Sequence, residues 1–403
     1  MQGPLRIAYL LSQYPAMNHV FMLREVTFLR ELGFDVHVAS IRDADRECGA
    51  MTSAEQQEAR STYYVKSSGL WRLAQAHLAT LISRPVAYVR GLALALSHHG
   101  QRGLFYVTEA VAVGYWMRGR AAHLHTHYAS AVAYLVKQIF PVTISITFHG
   151  SAEFLNPTAF RLAEKVRASL FCCAISQYGI SQLMYACAYE EWPKLELAAL
   201  GVDPTRFTPR PFRANPAPFQ IACVGQLAPV KGLHLLIEAM ADLIAQGRQV
   251  RLRIVGDGSE RNALRRNVEN RRLSDHVMFE GAVNQDKLLE IYRETDVLAM
   301  SSFAEGVPVV TMEAMSMEIP CVAPWVNGIP EIITHETDGL LVPPGDAQAL
   351  ARAIARLMDD AELRRTLGQK ARLKIRGKFD LRRNTEHLAG IFCRRLGASQ
   401  PSA

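Results

Sequence analysis

The amino-acid sequence predicts an α/β protein made of two doubly wound domains, each a parallel sheet covered by helices. The chain has 403 residues, which exceeds the size at which a single hydrophobic core usually stops growing. Strand-like and helix-like patterns alternate in both halves, as expected for parallel sheets with helices on both faces. A proline-rich stretch separates the two series, which favours two domains over one.

The N-terminal half begins with a strand predicted over residues 7–11. A helix follows it, with Met22, Val26 and Leu29 at helical spacing and Gly33 as its stop. Further strands of this half are predicted at residues 36–39, 121–124, 143–148, 170–175 and 195–200. We therefore predict an N-terminal Rossmann-like domain over residues 1–207.

Residues 208–218 are predicted to be a linker, because this stretch has too many prolines for a helix or a central strand. The alternation then restarts, with strands predicted at residues 219–224, 252–255, 277–280, 296–300, 321–323 and 339–342 and helices at 346–358 and 381–396. We predict a second Rossmann-like domain over residues 219–376 and a last segment, 377–403, that packs back towards the first. Two such domains would enclose a cleft, a common place for ligands.

Composition narrows the class of protein. Hydrophobic residues make up 49% and charged residues 21% of the chain, as in an ordinary soluble enzyme. The seven cysteines form no C-x-x-C pair, which favours a reducing cytoplasm. A net charge of +7 is mild for this length and predicts a solvated basic surface rather than nucleic-acid binding. We expect no signal peptide and no membrane span, since the apolar helical stretches fall short of about 20 residues.

Two glutamates eight positions apart, Glu305 and Glu313, form the most informative pair of side chains. The residues before them, 296–300, read as a buried strand, and Pro308 occupies the place of a first helical residue. Glu305 would then lie in the loop at the strand's carboxyl end, where open α/β sheets bind ligands, and Glu313 on the helix behind it. A helix start favours phosphate. The pair therefore predicts a phosphorylated ligand with hydroxyl groups, a nucleotide sugar.

Two glycine-containing loops follow predicted strands of the second half. The first, G-Q-L-A-P-V-K-G, runs from Gly225 to Gly232 and places Lys231 at a helix start, which suits a diphosphate. The second is V-G-D-G, with Gly256 and Gly258, whose glycines permit close backbone approach. Each loop alone is also compatible with an ordinary turn and a surface lysine.

Together these motifs form a recognisable series. In the second half they run G-Q-L-x-x-x-K-G, V-G-D-G, F-E-G, E-x7-E, N-G-I-P-E and D-G-L-L-V, and the first half contains Q-Y-P-A-M-N-H-V-F-M-L-R-E-V, H-T-H-Y-A-S, T-F-H-G-S-A-E-F, A-I-S and L-G-V-D-P-T-R-F. In order and spacing the chain resembles the retaining glycosyltransferases of family 4, which have the GT-B architecture of two Rossmann-like domains facing each other across a cleft. Within that family it is most similar to bacterial exopolysaccharide enzymes of the colanic acid and amylovoran type.

The resemblance implies a role for each matching residue. Lys231 would contact the donor diphosphate, Glu313 the ribose hydroxyls and Glu305 the transferred sugar, while His149 would lie near the anomeric centre. His149, Glu305 and Lys231 are thus the candidate catalytic residues. The implied donor-binding residues are Gly225, Gln226, Lys231, Gly256, Gly258, Val283, Glu305, Gly306, Val307, Pro308 and Glu313.

The resemblance also implies the chemistry. A nucleoside diphosphate sugar would be the co-substrate, with no cofactor and no metal, and a phosphate oxygen of the leaving group would take the acceptor's proton. The chain departs from the family at Gln226, where arginine is common, and at Pro308, where glycine is common. Asn18, His19 and Val20 replace a common Ser-Glu-Thr. A weakened enzyme is therefore one alternative.

His123, His125 and His127 alternate along a predicted strand and so share one face. Such a set could bind a metal, but neutral strand histidines held by hydrogen bonds are commoner. We therefore predict no metal there.

The principal hypothesis is a retaining glycosyltransferase that acts on a lipid-linked oligosaccharide. The alternatives are a nucleotide-sugar epimerase with the same architecture and a weakly active sugar-nucleotide-binding subunit of another transferase. Between residues 60 and 120 the chain has eight basic residues and one acid, Glu109, among many apolar side chains. This pattern predicts peripheral attachment to an anionic membrane, at the inner face of the cell membrane. A helical insertion with solvated arginines is the alternative.

Overall fold

The computed structural model describes residues 4–17 and 20–397, which form two compact units. The first unit comprises the chain up to Ala199 together with the residues from Asn384 onward, and the second comprises Leu200–Arg383. Asn18 and His19, named above as departures from the family, lie outside the described residues.

The first unit contains a seven-stranded parallel sheet of order β3-β2-β1-β4-β5-β6-β7. Its strands are β1 (Arg6–Gln13), β2 (Asp35–Arg42), β3 (Tyr63–Tyr64), β4 (His123–His127), β5 (Thr143–Phe148), β6 (Phe171–Ala174) and β7 (Leu195–Leu197). Its helices are α1 (Val20–Glu31), α2 (Ser53–Ser61), α3 (Leu70–Ser83), α4 (Pro85–His99), α5 (Gly103–Trp116), α6 (Ser130–Ile139), α7 (Ser151–Leu155), α8 (Leu162–Ala168) and α9 (Gln177–Ala186), followed at the end of the chain by most of α17 (Leu381–Leu396). The first strand lies in the middle of the sheet, as in a doubly wound fold.

The second unit contains a six-stranded parallel sheet of order β10-β9-β8-β11-β12-β13. Its strands are β8 (Phe219–Val224), β9 (Val250–Val255), β10 (Val277–Gly281), β11 (Val297–Ala299), β12 (Cys321–Pro324) and β13 (Leu340–Val342). Its helices are α10 (Leu233–Ala245), α11 (Arg261–Asn270), α12 (Gln285–Glu294), α13 (Val309–Ser316), α14 (Ile329–Ile332), α15 (Ala347–Asp359) and α16 (Ala361–Lys378). The predicted fold class, two Rossmann-like doubly wound domains, is confirmed.

The division between the units differs from the predicted boundaries at 207/208 and 376/377. Residues 208–218 contain no helix or strand, yet they lie within the second unit. Arg364 of α16 donates hydrogen bonds to the carbonyls of Arg213 and Ala214 (2.9 and 2.7 Å). Arg210 pairs with the buried carboxylate of Asp296 at 2.8 Å. Side chains of the second unit therefore hold this proline-rich segment in place.

Several elements differ from their prediction. The strand predicted at 121–124 is β4, which starts at His123 and continues to His127 because the buried hydroxyls of β5 satisfy its histidines. The helix expected to begin at Pro308 begins at Val309, with Pro308 extended (φ −72°, ψ 112°) as the residue before it. The sequence interpretation missed β3, which has only two residues, and α16, whose mostly exposed surface gives a weak apolar pattern.

Candidate functional site

A pocket lies at the carboxyl edge of the second sheet, between β8 and β11. The strand order reverses between these two strands, and ligands bind at such a switch point in doubly wound sheets. The lining of the pocket includes Gly225, Gln226, Lys231, Met300 and Ser301. Lys231, which is predicted to contact the diphosphate, thus lies beside residues 300–302, which precede Glu305.

Glycines bring the two loops at this edge into backbone contact. Gly256 has φ +135°, and a Cβ there would lie 1.9 Å from the carbonyl oxygen of Gly225. A Cβ on Gly258 would lie 2.4 Å from the carbonyl oxygen of Leu227. Hydrogen bonds from Gly225 N to Val255 O (2.9 Å) and from Leu227 N to Asp257 O (3.0 Å) join the loops. The close approach expected from these glycines is therefore present, and a larger residue at Gly256 or Gly258 would force the loops apart.

Lys231 and Glu305 form an ion pair at the pocket. The Lys231 Nζ lies 2.6 Å from Glu305 Oε1, and the side chains are 25% and 9% exposed. Lys231 ends a short 3-10 turn, and Gly232 adopts a left-handed conformation (φ +56°) that starts α10. A Cβ on Gly232 would lie 2.4 Å from the carbonyl oxygen of Ser301, so only glycine fits there. The Ser302 hydroxyl donates to the same Glu305 oxygen at 2.6 Å.

Glu313 lies on α13, as predicted, and is buried. The Tyr292 hydroxyl donates to its Oε2 and the Gln285 amide to its Oε1, each at 3.2 Å. Burial raises the pKa of Tyr292 well above its ordinary value, and the nearby Glu313 carboxylate raises it further. This hydroxyl therefore stays a donor. The sequence interpretation missed Ser302, Gln285 and Tyr292. Ser302 stands three residues before Glu305 and was visible in the motif, whereas the two residues of α12 have no local signal.

The remaining donor-binding candidates surround this centre. Gly306, Val307 and Pro308 form the loop between Glu305 and α13, and a Cβ on Gly328 would lie 2.0 Å from the Gly306 carbonyl oxygen. Val283 is partly buried in the loop between β10 and α12. Gln226 is exposed, without the positive charge that the resemblance leads one to expect there.

His149 belongs to the first unit, whereas the other candidates belong to the second. It directly follows β5 and is 8% exposed. Its ring stacks on Tyr128 (centroids 4.4 Å apart) and lies 5.3 Å from the ring of Phe21. Its Nε2 lies 2.7 Å from Nδ1 of His127.

The three histidines of β4 are buried and hydrogen-bonded, as expected of neutral strand histidines. Burial lowers the pKa of His123 to about 3 and that of His125 well below its ordinary value. Among the described residues, the group whose ligand atoms lie close enough for a metal is Glu25, His125 and His127, all within 4.8 Å of one another. His123 is not part of this group; its ring bonds to the hydroxyls of Thr143 and Ser145.

Glu153, four residues after His149, provides a pH-dependent prediction. Burial raises the pKa of its carboxyl group to about 7, against the lowering effects of Lys165 and the Ser130 hydroxyl. The folded state therefore favours the protonated form, so this contribution to stability is fully present at low pH and is lost as pH rises through 7. Between about pH 5.5 and pH 8.5 the loss is on the order of 2 kcal/mol.

We expect Glu153→Gln to raise the melting temperature relative to the unaltered protein at pH 8.5 much more than at pH 5.5. The nearby Glu164→Gln, an ordinary surface carboxylate paired with Arg161, serves as the control. A constant difference between Glu153→Gln and the unaltered protein across this range would contradict the raised pKa.

Known proteins resemble this chain in sequence over most of its length. Residues 205–374 match the family model described as Glycosyl transferases group 1. The chain is 28% identical to the putative colanic acid biosynthesis glycosyltransferase WcaL of Escherichia coli K12, over 96% of this chain and 99% of that relative. The chain of 403 residues is therefore a glycosyltransferase. It is also 26% identical to the amylovoran biosynthesis glycosyltransferase AmsK of Erwinia amylovora, over 88% and 90% of the two chains.

The fold of this glycosyltransferase is that of solved enzymes with the GT-B architecture. It superposes on HepE of Anabaena, solved with UDP and glucose, with a TM-score of 0.76 at 19% identity over 96% of this chain and 99% of that one. Sucrose-phosphate synthase of Thermosynechococcus elongatus gives 0.74 at 21% identity over 98% and 100%. The resemblance to exopolysaccharide glycosyltransferases of the colanic acid and amylovoran type, expected from the motifs, is confirmed.

Proposed function

We propose that this glycosyltransferase transfers a sugar, with retention of configuration, from a nucleoside diphosphate donor to a lipid-linked oligosaccharide during exopolysaccharide synthesis. The observation that carries the proposal is the ion pair of Lys231 and Glu305 beside the pocket at the switch point of the second sheet. One partner suits a phosphate and the other suits sugar hydroxyls. A donor whose diphosphate and sugar lie next to each other matches that arrangement.

Lys231 supplies positive charge for the diphosphate. An ammonium group has three donors, so Lys231 can keep its bond to Glu305 while it binds a phosphate oxygen. The start of α10 follows directly, and its first N–H groups add positive electrostatic potential. The two glycine-containing loops are in backbone contact with each other, and their glycines allow the donor to approach the main chain closely.

Glu305 is held ready to bind the sugar. Its Oε1 already accepts from both Lys231 and Ser302, which fixes the carboxyl group and leaves Oε2 to receive a sugar hydroxyl. Glu313 lies on α13, the helix that follows the loop of Glu305. There it would bind the ribose hydroxyls in place of its present hydrogen bonds to Tyr292 and Gln285. The two carboxylates would thus hold opposite ends of one donor.

The chemistry needs positioning and charge stabilisation rather than a covalent intermediate. Burial raises the pKa of the Cys223 thiol in the pocket wall to about 12, so this thiol is a poor nucleophile at neutral pH. In the proposed reaction the acceptor hydroxyl forms the new bond to the anomeric carbon as the bond to the diphosphate breaks. The hydroxyl proton passes to a phosphate oxygen of the leaving group, and Lys231 stabilises the negative charge there. No cofactor and no metal is proposed.

Two variants test the assignment of the carboxylates. We expect Glu313→Ala to weaken binding of a nucleoside diphosphate, because charge-assisted hydrogen bonds to ribose contribute about 1.5–3 kcal/mol each. Glu305→Gln should bind the free diphosphate nearly as well but turn over more slowly. The measurement is a thermal-shift titration with UDP, GDP and their sugars, combined with a transfer assay.

Glu290→Gln, an exposed carboxylate of α12 paired with Lys287, is the matched control. Equal losses of diphosphate affinity in Glu305→Gln and Glu313→Ala would contradict the division of roles. The transfer assay also separates the alternatives: an epimerase changes the donor without acceptor, and a binding subunit binds it without releasing nucleotide.

We also propose that the first unit attaches to an anionic membrane, where a lipid-linked acceptor would be presented. In the part of the chain that the structure describes, no helix has the length and hydropathy of a membrane span. Helices α3, α4 and α5 nevertheless expose large apolar side chains, namely Leu70, Trp71, Leu78, Ile82, Val86, Val89 and Phe105, which are 58–86% exposed. Large contiguous apolar patches are uncommon on monomeric soluble proteins and often mark sites of interaction with a membrane or another protein.

The charge of this region supports a lipid partner. Arg72, Arg90 and Arg102 are exposed among these apolar side chains, and Glu109, the one acid between residues 60 and 120, is buried. The surface is therefore apolar and basic, as in proteins that bind the headgroup region of anionic membranes. The site would then lie at the cytoplasmic face of the cell membrane.

We expect the protein to sediment with vesicles containing anionic phosphatidylglycerol and much less with neutral phosphatidylcholine vesicles. Replacing Arg72, Arg84, Arg90 and Arg102 by glutamine should weaken binding more than tenfold, because each basic residue near the surface contributes about 1 kcal/mol. The control replaces four exposed arginines of the second unit, namely Arg251, Arg266, Arg293 and Arg365. Equal binding by the two quadruple variants would contradict this mode of attachment.

A further inference from the structure

A chain of buried hydrogen bonds runs from the first sheet to His149. The Tyr9 hydroxyl of β1 donates to Glu25 Oε1 of α1 at 2.9 Å, and the same oxygen lies 3.2 Å from His127 Nε2. The other nitrogen of this ring, His127 Nδ1, lies 2.7 Å from His149 Nε2. These four residues are at most 8% exposed.

The carboxylate form of Glu25 would fix the direction of the chain, because a carboxylate only accepts hydrogen bonds. Burial raises the pKa of Tyr9 well above its ordinary value, so the hydroxyl keeps its proton and donates it to Glu25. The nitrogen facing the same oxygen, His127 Nε2, must then carry a proton. A neutral His127 has no second proton, so its Nδ1 is an acceptor, and the partner nitrogen of His149 is the donor.

The hydrogen bonds of the other two histidines of β4 are compatible with this direction of donation. His125 Nε2 lies 3.0 Å from His127 Nε2 and 3.0 Å from the Thr147 hydroxyl. It can accept from Thr147 if the proton of His125 is on Nδ1, which lies 2.7 Å from Ser145 Oγ. Ser145 can then donate to His123 Nε2, and His123 Nδ1 to Thr143 Oγ1, at 2.7 and 2.8 Å. One arrangement of protons therefore satisfies every ring with all the histidines neutral.

We propose that Glu25 and His127 are positioning residues that hold His149 in the tautomer with its proton on Nε2. In this tautomer Nδ1 carries a lone pair and can accept a hydrogen bond from a sugar hydroxyl. The functional part of this inference rests on the role proposed above for His149; the tautomer itself does not.

The tautomer can be measured directly in the protein without substrate. In protein labelled with ¹⁵N-histidine, long-range ¹H–¹⁵N spectra distinguish the two neutral tautomers, and His149→Ala identifies the resonances. We expect a single Nε2–H tautomer for His149. Glu25→Gln should give a mixture, because a carboxamide both donates and accepts and no longer imposes a direction on His127. His127→Gln should have the same effect.

The matched control is His123→Gln, which replaces a buried histidine of the same strand that has no bond to His149. It should leave the His149 tautomer unchanged even if the melting temperature falls as much as in Glu25→Gln. Equal disturbance of His149 in all three variants would show that the strand has only a structural role and would overturn the proposal. An Nδ1–H tautomer in the unaltered protein would also overturn it.

Two further measurements complete the test. Stoichiometric zinc in the purified protein would overturn the proposal, because a metal held by Glu25, His125 and His127 would occupy the nitrogens to which we assign a proton and a lone pair. In the transfer assay, Glu25→Gln should lower kcat at least about tenfold with the KM for the donor nearly unchanged. If His149→Ala transfers sugar normally, the role of His149 in the proposed function is wrong. The tautomer assignment is tested separately, by the spectra.

Discussion

Replacing Lys231 by alanine is expected to lower kcat about 10²–10³-fold, because one electrostatic donor to a developing charge is worth about 2.7–4 kcal/mol. Lys231 is the cationic side chain in the pocket lining, and its ammonium group is the partner of Glu305. The measurement is the steady-state rate of nucleotide release in the presence of acceptor. Lys287→Ala, which removes an exposed lysine of the same unit, should have the activity of the unaltered protein.

The ion pair complicates a single substitution, because Lys231→Ala leaves the nearly buried Glu305 without its counter-charge. Part of the effect would then be a loss of stability. The double variant Lys231→Ala, Glu305→Gln removes that unpaired charge, so it should recover the melting temperature but turn over more slowly than Glu305→Gln alone. If the double variant is as active as Glu305→Gln alone, Lys231 acts only as a structural partner of Glu305.

Replacing Arg364 by methionine is expected to lower the stability of the second unit by about 3–5 kcal/mol, because three carbonyl groups lose a charged donor at about 1–3 kcal/mol each. Its guanidinium donates to the carbonyls of Leu357, Arg213 and Ala214 and lies 5.3 and 5.4 Å from the rings of Phe212 and Phe219. Methionine fills much of the volume but leaves three carbonyl groups without this donor. The melting temperature should fall by roughly 10 °C.

The neighbouring Arg365 is exposed on the same helix, and Arg365→Met should change the melting temperature by little. Protease digestion provides a second measurement. Because Arg364 holds the segment 208–218, its replacement should make that segment a preferred cleavage site in the folded protein. An unchanged cleavage pattern would mean that other contacts, such as Arg210 with Asp296, suffice to hold it.

The sequence predicted those parts of the site that local patterns encode. Lys231 follows a glycine loop and Glu305 precedes a helix start, so each could be recognised within its own segment. Their contact could not, because 74 positions separate them and only the pairing of β8 with β11 brings the two strand ends together. The burial of Glu313 under Tyr292 was hidden for the same reason.

In the fold, too, local patterns were predicted from the sequence, whereas contacts between distant segments were not. Strands with a clear apolar pattern, such as β5 with its alternating T-I-S-I-T-F and β8 with F-Q-I-A-C-V, were predicted with their observed ends. The strand predicted at 121–124 ended before β4 does, although the alternation of His123, His125 and His127 had already indicated a strand; hydroxyls of β5 make the histidines suitable for a core. Likewise, the proline-rich segment 208–218 looked like a free linker because the arginine that holds it comes about 150 residues later.

The position of α17 has a consequence for biosynthesis. The first unit is built from two stretches of chain, and the ribosome adds the second, from Asn384 onward, only after all of Leu200–Arg383 has been synthesised. Phe392 in that late stretch lies against the rings of Tyr9, His123, His125 and Phe171, with centroids 5.0–6.3 Å apart. All residues of the continuous second unit therefore exist before the first unit is complete, against the usual N-to-C order of domain folding. Until Phe392 has been added, the nascent histidine strand lacks these ring contacts.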